Sequence, residues 1–328
     1  MKRNACLLPL MVLCLCSCAD SASSSSSSGV SESSSSSSSQ VAAKTLYFPP
    51  SSYDGVGVDV FLDMDPVKLT YIYVGEGVEE PIERFEYNED YISIDGEGRV
   101  TGKQAGSTRV YAYTATQKVE VRINVKTRIS YRCLSSLLEM QTLYQEHGSP
   151  KGAALFCGDS FFDTRYNWTT FYSDFSDYNV FCSGIGTTRT EDWMYMKKEL
   201  IADFAPSQVF LHLGTNNLND AGDTGKTCAA KVINLLEEIH LSVPEADIYY
   251  FGIERTTNPA FALSHNKSLE SNAEVKEHCE STSYLHYLDS PSLFEEDIDN
   301  YLISDGLHPS AAGYALYVDM VKDLLIRK

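Results

Sequence analysis

The chain has 328 residues, enough for two domains and a tail. Its 45 acidic residues outnumber 26 basic ones, giving a formal net charge of -19. A surface that acidic repels phosphate backbones and argues against a nucleic-acid partner. Lys2 and Arg3 open the chain, and an apolar stretch from Leu7 to Leu15, interrupted by Pro9, follows them. This run is too short for a bilayer, which needs about 20 apolar residues, and reads instead as an export signal.

The stretch ends in Leu15-Cys16-Ser17-Cys18, which resembles a bacterial lipobox, where a small residue precedes the cysteine that becomes the lipidated N-terminus. Residues 1–17 are therefore expected to be a lipoprotein signal peptide and Cys18 the lipidation site, which places the mature protein on the outer side of the cell membrane. Residues 18–44 read as a tether, because Ser21 to Ser39 is nearly pure serine and cannot bury apolar surface. Beyond the signal region remain Cys133, Cys157, Cys182, Cys228 and Cys279, an odd set without a CxxC pair. Cys157 and Cys182 end apolar runs and are expected to be buried thiols, with neither a disulfide framework nor a metal site.

Residues 45–126 carry short alternating runs rich in Val, Ile, Tyr and Thr, such as Val56 to Leu62, Lys68 to Val74 and Val119 to Val125. Period-two alternation between Gly-, Pro- and Asp-bearing turns predicts a small antiparallel β-sandwich. Within it, Tyr91 to Gly102 followed by Ala105-Gly106-Ser107-Thr108 resembles the terminal run of bacterial Ig-like domains of group 2. That resemblance implies a spacer or adhesion module, with glycan of the cell wall as a contact, and no catalytic group stands out in it.

A helical linker is expected over 127–150, with apolar residues of Leu134 to Tyr144 on one face and Gly148-Ser149-Pro150 as its stop. From residue 151 to 328 the texture is α/β. Apolar strands are predicted at Ala153 to Cys157, Asn179 to Cys182, Val209 to Leu213, Ile248 to Phe251 and Tyr284 to Leu288. Helical patterns separate them at Trp193 to Phe204, Cys228 to Leu241 and Leu269 to His278, and a last helix starts at Ala311. Buried strands alternating with helices predict a doubly wound parallel sheet in a three-layer α/β/α arrangement.

In such sheets the ligand site lies beyond the carboxyl ends of the strands. Four polar segments fall there or in the final loop: Gly158-Asp159-Ser160, Gly184-Ile185-Gly186-Thr187-Thr188, Gly214-Thr215-Asn216-Asn217, and Asp305-Gly306-Leu307-His308-Pro309. Each alone is only a turn or cap signal. Together, in this order, they resemble the four blocks of the SGNH (GDSL-like) hydrolase family, whose blocks carry Ser, Gly, Asn and His, over residues 151–328. The resemblance implies an ester hydrolase with Ser160 as nucleophile, His308 as base and Asp305 as its orienting partner. It further implies an oxyanion hole built from the backbone N–H of Ser160, a second-block N–H and the Asn216 amide. The second block departs from the family's usual ending. Ungapped comparison places Thr187 at the donor position, and a one-residue deletion places Gly186 there, which is the assignment preferred.

Other residues carry plainer expectations. His212 reads as a satisfied core histidine, Asp159 as support for the turn, and Asp192 as a helix cap. Asp163, Arg165 and Arg189 suit ordinary surface pairs, with substrate contact as the alternative, while Trp168, Phe171 and Tyr172 suit either the pocket or the core. No cofactor is called for. The expected function is a surface-anchored serine esterase that removes acetyl or other short acyl groups from carbohydrate, with small-molecule or polysaccharide esters as substrates. A lysophospholipase or thioesterase is the alternative among enzymes, and a non-catalytic adhesion protein the alternative outside them.

Overall fold

The computed structural model describes residues 42–147 and 151–327. The expected signal peptide over 1–17, Cys18, the serine run and the turn at Gly148-Ser149-Pro150 lie outside the described residues.

The first part of the described chain carries nine short strands: β1 (Thr45–Tyr47), β2 (Val58–Phe61), β3 (Val67–Lys68), β4 (Ile72–Val74), β5 (Arg84–Tyr87), β6 (Ile92–Ile94), β7 (Arg99–Gly102), β8 (Gly106–Tyr113) and β9 (Lys118–Lys126). They pair as a four-stranded sheet in the order β2-β9-β8-β5, a three-stranded sheet β3-β7-β6 and the pair β1-β4. The period-two pattern is expressed where expected. Val110 and Ala112 on β8, with Val121, Ile123 and Val125 on β9, are buried, while Glu120 and Arg122 face water.

Two details depart from the sequence reading. The sheet is not wholly antiparallel, since β2 runs parallel to β9. The run from Lys68 to Val74 is not one strand but breaks between β3 and β4. There the Asn234 side chain donates to the Lys68 carbonyl at 3.1 Å and to Thr70 Oγ1 at 2.8 Å, so this backbone bonds to a helix of the second part instead of a neighbouring strand.

After α1 (Leu134–His147), five strands form one all-parallel sheet: β10 (Ala154–Gly158), β11 (Val180–Cys182), β12 (Gln208–His212), β13 (Asp247–Phe251) and β14 (Leu285–Leu288). The helices between and after them are α2 (Phe171–Asp174), α3 (Thr190–Leu200), α4 (Thr215–Asn219), α5 (Gly225–Ser242), α6 (His265–Glu280), α7 (Ser290–Glu295), α8 (Ile298–Tyr301) and α9 (Ala311–Val321). Alternate strand residues feed two cores. Leu155, Cys157, Val209, Leu211, Ile248 and Tyr250 join the core that holds α3, α5 and α6. Phe156, Phe210, Tyr249 and Phe251 join the aromatic core under α9. This is the doubly wound α/β/α architecture expected. The strand order β11-β10-β12-β13-β14 reverses at β10, so the crevice of the sheet opens at the carboxyl end of that strand.

The β-rich segment is not the detached spacer that its sequence suggested. Its core is continuous with the core on one face of the parallel sheet. Phe61 packs edge-on against Tyr131 and Tyr195, with ring centroids 5.2 and 4.9 Å apart. The Tyr195 hydroxyl donates to the Asp59 carbonyl at 2.8 Å, Arg99 pairs with Glu238 at 2.8 Å, and Lys231 donates to the Pro50 carbonyl at 2.9 Å. Sequence alternation cannot reveal such an interface, because it comes from residues 70 or more positions apart.

Candidate active site

Ser160 follows β10 at the point where the strand order reverses. The turn is possible because Gly158 takes a φ of +143°, and a Cβ there would lie 2.0 Å from the His212 carbonyl oxygen of β12. Asp159 accepts the Phe161 N–H at 3.1 Å and starts a single 3-10 turn, Ser160–Phe162. The Asn167 side chain donates to the Ser160 carbonyl at 2.7 Å and closes the turn from the far side. Ser160 itself stays partly exposed beyond the carboxyl end of β10.

His308 arrives on the loop before α9. Its Nε2 lies 2.8 Å from Ser160 Oγ, and its Nδ1 lies 2.7 Å from Asp305 Oδ2. The other Asp305 oxygen accepts the N–H groups of Leu307 and His308 at 2.8 and 3.0 Å, which fixes the carboxylate on its own loop. Burial pushes the Asp305 carboxyl up, but the His308 side chain and these two N–H groups outweigh it and hold the carboxyl below its ordinary range. The loop itself turns at Gly306, whose φ of +65° brings its carbonyl to the N–H groups of Thr257 and Asn258 at 2.8 and 3.0 Å. Sequence reading had overlooked this segment after β13; its Thr-Thr-Asn-Pro run signals only a loop.

The second and third blocks meet beside this line. Thr188 Oγ1 donates to the Gly158 carbonyl at 3.2 Å, and the Thr188 carbonyl accepts the Asn216 amide at 2.9 Å. That bond orients Asn216 and uses one of its two N–H donors. Gly186 lies close to Ser160, but its N–H points to Asp163 Oδ2 at 3.3 Å. Thr187 takes a φ of +64°, the left-handed region that a β-branched residue rarely enters. The preferred oxyanion assignment of Gly186 is thus modified by geometry: its N–H is engaged with Asp163, and the residue in the glycine-like conformation is Thr187.

Beneath the serine turn lies a buried group of charges. His212 Nδ1 is 3.1 Å from Asp159 Oδ1 and Nε2 is 2.7 Å from Glu254 Oε2. Glu254 also accepts the hydroxyls of Tyr317 at 2.7 Å and Ser290 at 2.5 Å. His212 was expected to be a satisfied core histidine, and it is; Glu254 as its partner was not foreseen. Burial works against the imidazolium, but the charges of Glu254 and Asp159 and their hydrogen bonds win and push His212 up to about 10. A folded-state value above the unfolded one means this stabilisation is full below the ordinary histidine range near 6.5 and fades as pH rises towards about 10. His212→Gln leaves two buried carboxylates without their cation and is expected to cost about 3–5 kcal/mol. Thermal unfolding at pH 7 and pH 10 checks this. The wild type should lose more stability over that interval than the variant, and equal losses would contradict a charged His212.

Asp163 does not form the surface pair expected: it is buried and bonded to Arg165, whose Nη1 also reaches Glu139 on α1 at 2.7 Å, so both belong to the scaffold. Trp168 and Phe171 are fully buried in the aromatic core, while Tyr172 is half exposed. Asp192 accepts the Arg189 N–H at 2.9 Å and caps α3 as expected. The five cysteines of the described part are buried free thiols, and burial pushes Cys182 up to about 12.

A serine, a histidine and an aspartate hydrogen-bonded in line at the carboxyl edge of a parallel sheet define the class of acyl-transferring hydrolases. Residues 156–316 match the GDSL-like Lipase/Acylhydrolase family, and this part of the chain is a GDSL-like domain of the SGNH esterase type. A GDSL-like lipase from Bacteroides thetaiotaomicron is similar in structure over 56% of this chain and 96% of its own, at 15% identity and a TM-score of 0.48. A lipase/acylhydrolase from Enterococcus faecalis is similar over 54% and 98%, at 20% identity and a TM-score of 0.45. An acetylxylan esterase from Geobacillus stearothermophilus, solved as a catalytic mutant, is similar over 53% and 94%, at 17% identity and a TM-score of 0.44. No curated protein matches the chain.

Proposed function

We propose that this esterase removes acetyl or other short acyl groups from carbohydrate through an acyl-enzyme on Ser160. The observation that carries the reaction is the line from Ser160 Oγ to His308 Nε2 to Asp305, at 2.8 and 2.7 Å. His308 takes the Ser160 proton as Oγ attacks the ester carbonyl, then gives it to the departing alcohol. Water repeats the sequence on the acyl-enzyme and releases the carboxylic acid. Asp305 holds the imidazole with its Nδ1–H turned to the carboxylate, so that Nε2 is free to accept. The Ser160 N–H and the second N–H of Asn216 serve as donors to the oxyanion, with the 186–187 backbone beside them.

A short acyl group is supported by what surrounds the serine. Phe161 and Phe162, which follow the serine, are buried, and the Phe161 ring lies 5.5 Å from the His308 ring, so the walls beside the nucleophile favour a small acyl group. A carbohydrate alcohol is supported by the openness of the site, where Thr187 and the Asp305 loop reach the surface. A panel of p-nitrophenyl esters from acetyl to octanoyl, followed by O-acetylated glycans, tests the reading. The specificity constant should be highest for acetyl and fall steadily beyond butyryl. A maximum at octanoyl would favour the lysophospholipase or thioesterase reading instead.

The reading includes a surface location, supported by the lipobox-like run at Cys18 and the serine tether behind it. Cys18→Ser is expected to move the protein from the membrane to the soluble fraction with unchanged specific activity. Retention on the membrane would point to a different anchor.

A further inference from the structure

Asp192 is fully buried in the first turn of α3, and most of what holds it comes from the other part of the chain. Its Oδ2 accepts the Tyr53 hydroxyl at 2.5 Å and the Arg132 Nη2–H at 2.6 Å, and its Oδ1 takes the Cys133 thiol at 3.5 Å. Tyr53 belongs to the β-rich segment, and Arg132 and Cys133 to the linker behind it. The guanidinium of Arg132 lies 4.0 Å from the centre of the Tyr53 ring, and that of Arg189 lies 4.6 Å from the same ring.

Arg132 also reaches past Asp192 to the active-site loop. Its Nη2 donates to the Thr187 carbonyl at 2.7 Å, and its Nη1 to Thr187 Oγ1 at 3.4 Å. Thr187 is the residue held at a φ of +64° without being glycine. The next residue, Thr188, ties the loop to Gly158 and Asn216 through its hydroxyl and carbonyl. A continuous set of bonds therefore runs from Tyr53 and Arg132 through Thr187 and Thr188 to the Asn216 amide.

Building on the esterase reading above, we propose that Arg132, braced by Asp192 and Tyr53, is a positioning residue that holds the 184–188 loop and Asn216 in register with Ser160. The N-terminal segment then completes the active site. Burial works against the charge on Arg132, but Asp192 outweighs it and the guanidinium stays protonated. A planar fork can serve the carboxylate, the carbonyl and the ring at once, which a lysine ammonium cannot.

The test uses Arg132→Lys in the full-length protein, because lysine keeps the charge beside Asp192 and preserves folding. With p-nitrophenyl acetate, kcat should fall about 10- to 100-fold while KM stays within about two-fold, the pattern of a misplaced transition-state donor. In a Thr187→Gly background the lysine penalty should shrink to under about three-fold, since glycine takes the left-handed conformation without a clamp. Hydrogen exchange across residues 184–189 should be faster in R132K than in the wild type. An unchanged kcat in folded R132K overturns the proposal, as does a loss of the same size in both backgrounds. If wild-type Ser160 fails to react with a fluorophosphonate, the esterase reading falls, and the exchange comparison decides the positioning claim alone: equal exchange overturns it.

Discussion

Replacing Ser160 by alanine is expected to lower the turnover of p-nitrophenyl acetate by about three to six orders of magnitude while leaving thermal unfolding within a few degrees of the wild type. No other group in the line can attack. His308 Nε2 has Ser160 Oγ as its partner at 2.8 Å, and an alanine leaves it only water. The hydroxyl adds little to the fold. The turn is held by Gly158, by Asp159 on the Phe161 N–H and by Asn167 on the Ser160 carbonyl, and each of these survives the change. Steady-state kinetics with a melting curve checks both halves. Turnover within ten-fold of the wild type would remove Ser160 from the chemistry.

Deleting residues 42–126 is expected to unfold or aggregate what remains and to abolish hydrolysis with it. Tyr131 and Tyr195 pack against Phe61, and Met194 belongs to the same continuous core as Val58 and Val67. Each large apolar side chain returned to water costs about 1.5–3 kcal/mol, and a domain holds only about 5–15 kcal/mol in all. Losing even about 5 kcal/mol would lower the melting temperature by about 10–20 °C in a domain of this size. Lys231, Asn234 and Glu238 would also lose the partners that Pro50, Lys68 and Arg99 provide. Circular dichroism and ester hydrolysis of the 127–328 fragment check the expectation. A fragment that melts cooperatively near the temperature of the whole protein and hydrolyses at its rate would restore the spacer reading.

The parallel sheet was readable from sequence because strands buried on both faces appear as unbroken apolar runs, such as Ala154 to Cys157 and Val209 to Leu211. The serine, histidine and aspartate were readable because their chemistry sits in contiguous motifs at fixed places on that sheet. The second block was harder to assign. Whether the Gly186 N–H is free depends on Asp163, a residue 23 positions away that no local motif includes. The same limit hid Glu254 behind His212 and Arg132 behind Thr187, since a side-chain pair brought together only by folding leaves no periodicity. Trp168 followed the nucleophile closely enough to suit a pocket, yet the fold turned its ring into the aromatic core.

An esterase of this kind requires an activated serine at position 160. Full-length protein treated with a fluorophosphonate, then digested and mapped by mass spectrometry, tests this directly. A single phosphonyl adduct on Ser160, formed rapidly in the wild type and lost in His308→Ala, is the predicted result. No adduct, or an adduct on another serine with Ser160 unmodified, would contradict it.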